Sequence, residues 1–213
     1  IYYGWIRDLT VLEEYFYNKT INSIHIGGGT PSIMKKKLLE KIIIYIYKNY
    51  KVNKNAEISI EINPEDINGN KLKSYKEIGI NRLSVGVQSF SDTVLKFLGR
   101  NHNARQGMLS VLKSSEYFNN ISIDLIALKL GSKHKFREQL LFAKDLPIQH
   151  ISIYDFQYKT LSTELDFVEK NNSLKKYKNI LEEKNFFLYE INSFSKKGFK
   201  SIYNMSVLDM DDY

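Results

Sequence analysis

INSIHIGGGTPS, residues 21–32, sets an alternating apolar run directly against three consecutive glycines, followed by Thr30 and Pro31. The apolar run reads as a buried strand. Three glycines at its end are costly, because glycine in regular structure gives up about 0.5–1 kcal/mol relative to alanine. Bare backbone is used where the chain must take positive φ, or where a ligand approaches main-chain N–H and C=O groups directly. A tight strand-to-helix turn needs the same residues. The segment is not a phosphate-binding loop of the Gly-Lys-Ser/Thr kind, because that ending is absent.

Outward from this stretch, two periodicities alternate. Strand-like runs occur at NSIHI, AEISIEI, NRLSVGVQSF, NISIDLIAL and HISIYDFQY, with a sixth at FFLYEINSF. Helical patterns lie before and between them: GWIRDLTVLEEYFYN, SIMKKKLLEKIIIYIYKNY, NGNKLKSYKEIG, SDTVLKFLG running on into NARQGMLSVLKSSEYF, HKFREQLLFAKDL and SLKKYKNILEEKNF. Strand and helix recur about every 25–40 residues, the spacing of βαβ units in a parallel sheet. The expected fold class is α/β, with five or six parallel strands. Runs such as ISIYDF are apolar toward both faces, which favours a closed or partial β/α barrel. A doubly wound open sheet fits the same order of elements.

Composition sets outer bounds. With 213 residues and 43% hydrophobic content, the chain can bury a sizeable core. No apolar run reaches the roughly 20 residues needed to cross a bilayer, and IYYGWIRDLT lacks the pattern of a signal peptide, so a cytoplasmic protein with no transmembrane segment is expected. The net charge of +7 comes from lysines spread along the whole chain, which reads as a solvated surface and not as a nucleic-acid stripe. There is no cysteine, so no disulfide, thiolate metal site or cysteine nucleophile can come from these residues. His25, His102, His134 and His150 show no ligand spacing and read as ordinary surface or packed histidines.

In parallel α/β architectures the working groups lie where strands end. Gly27, Gly28, Gly29 and Thr30 occupy that position after the first strand. In ISIEINPED, Glu61 interrupts an apolar run, where a carboxylate is costly unless paired or facing a ligand, and Asn63 follows on the same face. Ribose hydroxyls, an amino group or an internal salt bridge would each satisfy it. Ser84 and Gln88 flank Gly86 in the next strand, Asp124 lies between isoleucine and leucine in NISIDLIAL, and HISIYDFQY brings Asp155 and Gln157. Arg82 and Arg100 bracket the middle strand as candidate counter-charges. Polar groups on several consecutive strands fit a barrel with a polar ligand inside.

IHIGGGTPS, EISIEINPEDI, EIGINRLSVGVQSFSDTVLKFLGRNHNARQ and NISIDLIAL, in this order, resemble the radical S-adenosylmethionine (SAM) superfamily, in the branch of oxygen-independent coproporphyrinogen III oxidases and HemW-type heme chaperones. HISIYDFQYKTLSTEL and FLYEINSFSKKGFKSIYN resemble the chaperone side. The resemblance implies a partial (β/α) barrel over residues 1–185, with residues 186–213 beginning the chaperone-type C-terminal region. It implies S-adenosyl-L-methionine held against a [4Fe-4S] cluster, with Gly28, Gly29 and Thr30 at the methionine amino end and Glu61, Gln88, Arg100 and Asp124 lining the same cavity. It further implies heme or porphyrin as a ligand and a client protein that receives the heme. The family's Cys-x3-Cys-x2-Cys loop has no counterpart here, and cluster iron needs thiolates; the resemblance thus implies a fragment, inactive as it stands, or a silent binding module that keeps the barrel. The family's GLPGQT turn reads LKLGSKH, and its HNxxYW signature reads YNMSVL, with Tyr203 in the place of the histidine.

Overall fold

The computed structural model describes residues 2–128, 136–156 and 177–209. Helix α1 (Tyr2–Phe16) precedes a series of strand–helix units: β1 (Thr20–Ile26), α2 (Lys36–Asn49), β2 (Lys51–Ile62), α3 (Gly69–Glu77), β3 (Arg82–Gln88), α4 (Asp92–Phe97), α5 (Ala104–Ser115), β4 (Ile121–Ala127), α6 (Phe136–Ala143) and β5 (His150–Asp155). Helical residues 177–182 (α7), β6 (Phe187–Leu188), β7 (Ser193–Ser195) and α8 (Ile202–Leu208) follow. The strands form one sheet in the order β1-β2-β3-β4-β5-β7-β6, curled into a half-barrel. Strands β1 to β5 are parallel, each joined to the next by one α-helix except β3 and β4, which are joined by two.

The sixth expected strand, FFLYEINSF, does not extend the parallel row. It folds into a hairpin of β6 and β7, and β7 runs antiparallel to β5. The physical reason lies in the connection: only Tyr189 to Asn192 separate the two short strands, and a parallel pairing needs a crossover of a dozen or more residues.

The expectation of strands apolar toward both faces also changes. One face carries Ile58, Ile60 and Ile62 of β2, Leu83, Val85 and Val87 of β3, Ile121, Ile123 and Leu125 of β4, and Ile151 and Ile153 of β5, all buried. These pack against Leu39 and Ile43 of α2, Leu72 and Tyr75 of α3, Val111 of α5, Leu140 of α6 and Leu181 of α7 as one core. The alternate positions point to the concave side and are polar: Ser59 and Glu61, Arg82 and Ser84, Ser122 and Asp124, His150 and Ser152. Among the described residues, the lining of this side is chiefly polar. The period of two therefore separates a helix-covered face from a face built to meet polar groups.

Helix ends place the loops. Asn68 caps α3 by accepting from the Lys71 N–H at 2.9 Å. Gly79, at φ 93°, closes the same helix while Ile80 N–H reaches back to the Tyr75 carbonyl, a Schellman ending. The helical stretch from Ser91 to Phe118 was expected to run on, but it breaks at Gly99, whose φ is 66°. Arg100 N–H bonds the Leu95 carbonyl there, and α5 starts anew with Asn103 and Gln106 in a capping box. Asp92 helps to hold the break by accepting from the Ala104 N–H at 2.7 Å.

Candidate functional site

At the carboxyl ends of β1 to β5 the concave face opens into two adjoining cavities. The upper one, about 220 Å³, is bounded by Gly29, Thr30, Glu61, Gln88, Arg100 and Asp124, with Asn63, Ser84 and Tyr154 among its other walls. The lower one, about 430 Å³, lies between the sheet and α8 and shares Glu61, Ser84, Asp124 and Tyr154 with the first. Six of the seven sequence-expected site residues thus meet in the upper cavity. Gly28 faces the lower one.

The three glycines are bare for two different reasons. At Gly27, a Cβ would lie 2.4 Å from His25 Nε2 and 2.7 Å from Glu61 Oε1, closer than non-bonded atoms come. The backbone there packs directly on a side-chain pair. Gly28 and Gly29 have open space around them but take φ of 79° and 64°, which L side chains rarely adopt. Beyond them, the 3₁₀ turn Pro31–Ile33 is tied to the turn after β2: Ser32 Oγ donates to Asp66 at 2.5 Å, and Lys71 Nζ donates to the Ser32 carbonyl at 2.9 Å. The loop's shape is fixed from both ends.

Glu61 stands at the centre. His25 Nε2 lies 3.3 Å from its Oε1, and the Gly28 N–H donates to its Oε2 at 3.1 Å. The His25 hydrogen bond, joined by the Gly28 N–H and opposed by partial burial, holds this carboxyl below its ordinary range. Asp124 behaves in the opposite way. Burial lifts its pKa to about 6, against the hydrogen bond it accepts from Ser84 Oγ at 3.2 Å. Two carboxyls on one wall therefore have separated titrations, one charged across the neutral range and one close to half protonated near pH 6.

Gln88 and Arg100 reach the upper cavity through irregular backbone. The pairing of β3 with β4 slips between Val85 and Gln88, a bulge that leaves Gln88 at φ 63°. Strain of this kind persists where the surroundings hold it and clusters at binding sites. Gly86 lies inside the bulge, and a Cβ there would stand 3.0 Å from Gln88 Nε2. Arg100 follows directly on the Gly99 turn that ends α4.

Below Glu61, α8 is fastened across the groove by polar contacts. The buried pair Glu57–Arg82, 3.4 Å apart, is the anchor. Glu57 accepts from the Ile202 N–H at 3.1 Å and Ser201 Oγ at 3.3 Å, and Arg82 donates to the Phe199 carbonyl at 3.1 Å. Arg82 thus neutralises Glu57, a residue the sequence reading had passed over. His150 sits between Ser122 Oγ at 2.7 Å and Tyr189 Oη at 2.8 Å, and burial pushes its pKa well below the usual value. Tyr203 of α8 stacks on His25, with ring centroids 4.4 Å apart and planes 13° from parallel.

His25 and His150 therefore both belong to the concave wall, His150 as a packed histidine with its two ring nitrogens bonded within the protein. The signal that could have found them is the alternation itself: His25, Ser59, Ser122, His150 and Ser152 all fall at the inward phase of their strands. His102 keeps a structural role, bonding the Val87 carbonyl at 3.0 Å and Glu65 at 3.1 Å. Residues 129–134 of the LKLGSKH turn, with His134, lie outside the described residues, as do Gln157 and the rest of its run.

The chemistry of this wall suits a ligand bearing both cationic and hydroxyl groups. Carboxylates at Glu61 and Asp124 supply negative charge, Ser84 and Gln88 supply neutral hydrogen bonds, and the glycine rim lets a ligand touch the main chain. Comparison with known proteins gives this arrangement a lineage. The model of the radical SAM superfamily matches residues 6–142. The heme chaperone HemW of Buchnera aphidicola from the aphid Acyrthosiphon pisum is 32% identical over 97% of this chain and 56% of its own length. HemW of Bacillus subtilis is 30% identical over 96% of this chain and 60% of its own length. The chain thus spans a little over half the length of these curated relatives. Among solved structures, coproporphyrinogen III oxidase (HemN) from Escherichia coli, described as a radical SAM enzyme, shares the fold with a TM-score of 0.70 at 20% identity, over 98% of this chain and 52% of that one. The chain belongs to the radical SAM superfamily.

Proposed function

We propose that this chain is the S-adenosylmethionine-binding barrel wall of a HemW-like protein of heme metabolism. The observation that carries the reading is the convergence of Gly29, Thr30, Glu61, Gln88, Arg100 and Asp124, drawn from three strands and two loops, on one cavity of about 220 Å³. Residues 1–185 form the barrel part in this reading, and residues 186–213 begin the region that follows it.

S-Adenosylmethionine fits the residues present. Its sulfonium and ammonium groups are cationic and match Glu61 and Asp124, and its carboxylate matches Arg100. The open space at Gly28 and Gly29 admits the methionine end against backbone. The [4Fe-4S] cluster of the family does not fit, because these 213 residues contain no cysteine and cluster iron requires thiolates. No radical step follows from these residues, and the chain itself binds without turnover. Heme, the ligand for which the chaperone relatives are named, is the second ligand proposed, through Tyr203 or a histidine of the groove. A heme-receiving client protein and a cytoplasmic setting complete the reading. Among the described residues no helix is long and apolar enough to cross a membrane.

The absence of cysteine favours a second reading, a silent interaction module that has kept the barrel alone. Isothermal titration of the 213-residue chain separates them. Saturable heat with S-adenosylmethionine, lost on Asp124→Lys, supports the first. No heat with S-adenosylmethionine and no spectral shift with heme would overturn it.

A further inference from the structure

The Glu61 carboxylate could turn freely about its side-chain torsions at the rim, since its side chain is 41% exposed. It does not, because three elements converge on it. His25 from the end of β1 reaches its Oε1, and the loop N–H of Gly28 takes its Oε2. His25 is itself held on both ring edges and on one face: Ser59 Oγ lies 2.8 Å from Nδ1, and the Tyr203 ring covers the face at 4.4 Å. With Ser59 donating to Nδ1, the proton sits on Nε2 and is donated to Glu61, so every polar atom of the set is satisfied. The backbone of Gly27 closes over the contact with no room for a Cβ.

We propose that His25 is a positioning residue for ligand binding, fixing the Glu61 carboxylate in its groove-facing orientation, and that Tyr203 of α8 holds His25 in place. The proposal rests on the reading that the upper cavity binds S-adenosylmethionine. It gives α8, which buries no side chain of its own, a reason to lie across the groove. Preorganised groups bind more tightly because their ordering is complete before the ligand arrives. Among the described residues, the other charged or titratable groups lining the cavities with Glu61 are Arg82 from β3, Asp124 from β4, His150 and Tyr154 from β5 and Arg100 from the loop after α4.

The test uses the 213-residue chain and four substitutions. His25→Phe keeps a ring against Tyr203 and removes the donor; His25→Gln restores an N–H near the position of Nε2. Tyr203→Phe keeps the stack, and Tyr203→Ala removes it. Affinity for S-adenosylmethionine is read by calorimetry, and the Glu61 carboxyl is titrated by carbon-13 NMR. His25→Phe is expected to weaken binding about tenfold and to move the Glu61 titration toward its ordinary range. His25→Gln should recover most of both. Tyr203→Ala should lose more affinity for S-adenosylmethionine than Tyr203→Phe, which keeps the stacked ring. If the native chain binds and His25→Phe binds equally well, or His25→Gln fails as His25→Phe does, the proposal is wrong. If the native chain does not bind, the functional reading fails by itself, and an unmoved Glu61 titration in His25→Phe would still overturn the positioning role.

Discussion

Gly27→Ala and Gly28→Ala should damage the protein by different physical routes, and the difference can be measured. A Cβ at residue 27 would meet His25 Nε2 at 2.4 Å, His25 Cδ2 at 2.9 Å and Glu61 Oε1 at 2.7 Å, while the backbone φ of Gly27 lies outside the left-handed region. Its cost is therefore overpacking, about 1–3 kcal/mol, to which displacement of the His25 hydrogen bond to a charged carboxylate adds about 1.5–3 kcal/mol. At residue 28 the Cβ would meet nothing within 4 Å, and the cost is the left-handed backbone alone, about 1–2 kcal/mol. Urea unfolding of a double-mutant cycle with His25→Ala separates the two. Removing the ring relieves two of the three close approaches at residue 27, so Gly27→Ala should cost at least about 1 kcal/mol less in that background. Gly28→Ala should cost the same with or without His25. Additivity of Gly27→Ala and His25→Ala within about 0.5 kcal/mol would refute this account of why residue 27 is bare.

Asp124→Asn tests the buried acid. Because its folded pKa is raised to about 6 from 3.8, the native state binds the extra proton, and Asp124 detracts from stability progressively as pH rises through that window. The variant should approach the native chain below pH 3.8 and exceed it by up to about 3 kcal/mol above pH 7, read from urea midpoints; a constant difference across pH would count against the burial argument. His150 works in the other direction: its lowered folded pKa means the unfolded chain takes up a proton first, so stability falls as pH drops below the ordinary histidine value of 6.5. His150→Gln should flatten that acid-side loss, and an unchanged slope would show that another group causes it. Arg82→Met strands Glu57 at a site where both side chains are almost fully buried, and should cost about 3–5 kcal/mol while unseating α8, visible as faster amide exchange at residues 202–208; protection equal to the native chain would mean that α8 is held by other contacts.

The parallel row was legible because each strand announces its period locally. ISIEI and RLSVGVQ each place apolar residues on one phase, and the helices between them carry their own caps, such as Asn68 and Asn103. Glu61, Gln88 and Asp124 were legible as polar residues on strands that finish at one sheet edge, and their meeting in one cavity follows from the parallel register; Arg100, beyond α4, was placed with them only by the family resemblance. What stayed hidden depended on partners far along the chain. Glu57 looks like an ordinary surface acid just before the apolar run of its strand until Arg82 and Ser201, 25 and 144 residues away, close on it. The break at Gly99 competes with an otherwise continuous helical pattern, and its Schellman turn wins. The hairpin at residues 187–195 was misread for a third reason, because its two strands together have the length of one.

The strict division of the sheet into an isoleucine-rich face and a hydroxyl- and charge-bearing face has a consequence for how the chain finds its pairing. Sliding any one strand past its neighbour by a single position would turn Arg82, Asp124 or His150 toward the helices and expose a row of β-branched side chains in exchange. Each strand thus carries its own check on alignment, and five such checks must agree before the helices can dock. The register does shift between Ile21 and Ser23, at the start of β1, and again between Val85 and Gln88; the second shift falls at the mouth of the groove, where it places a cavity-facing amide.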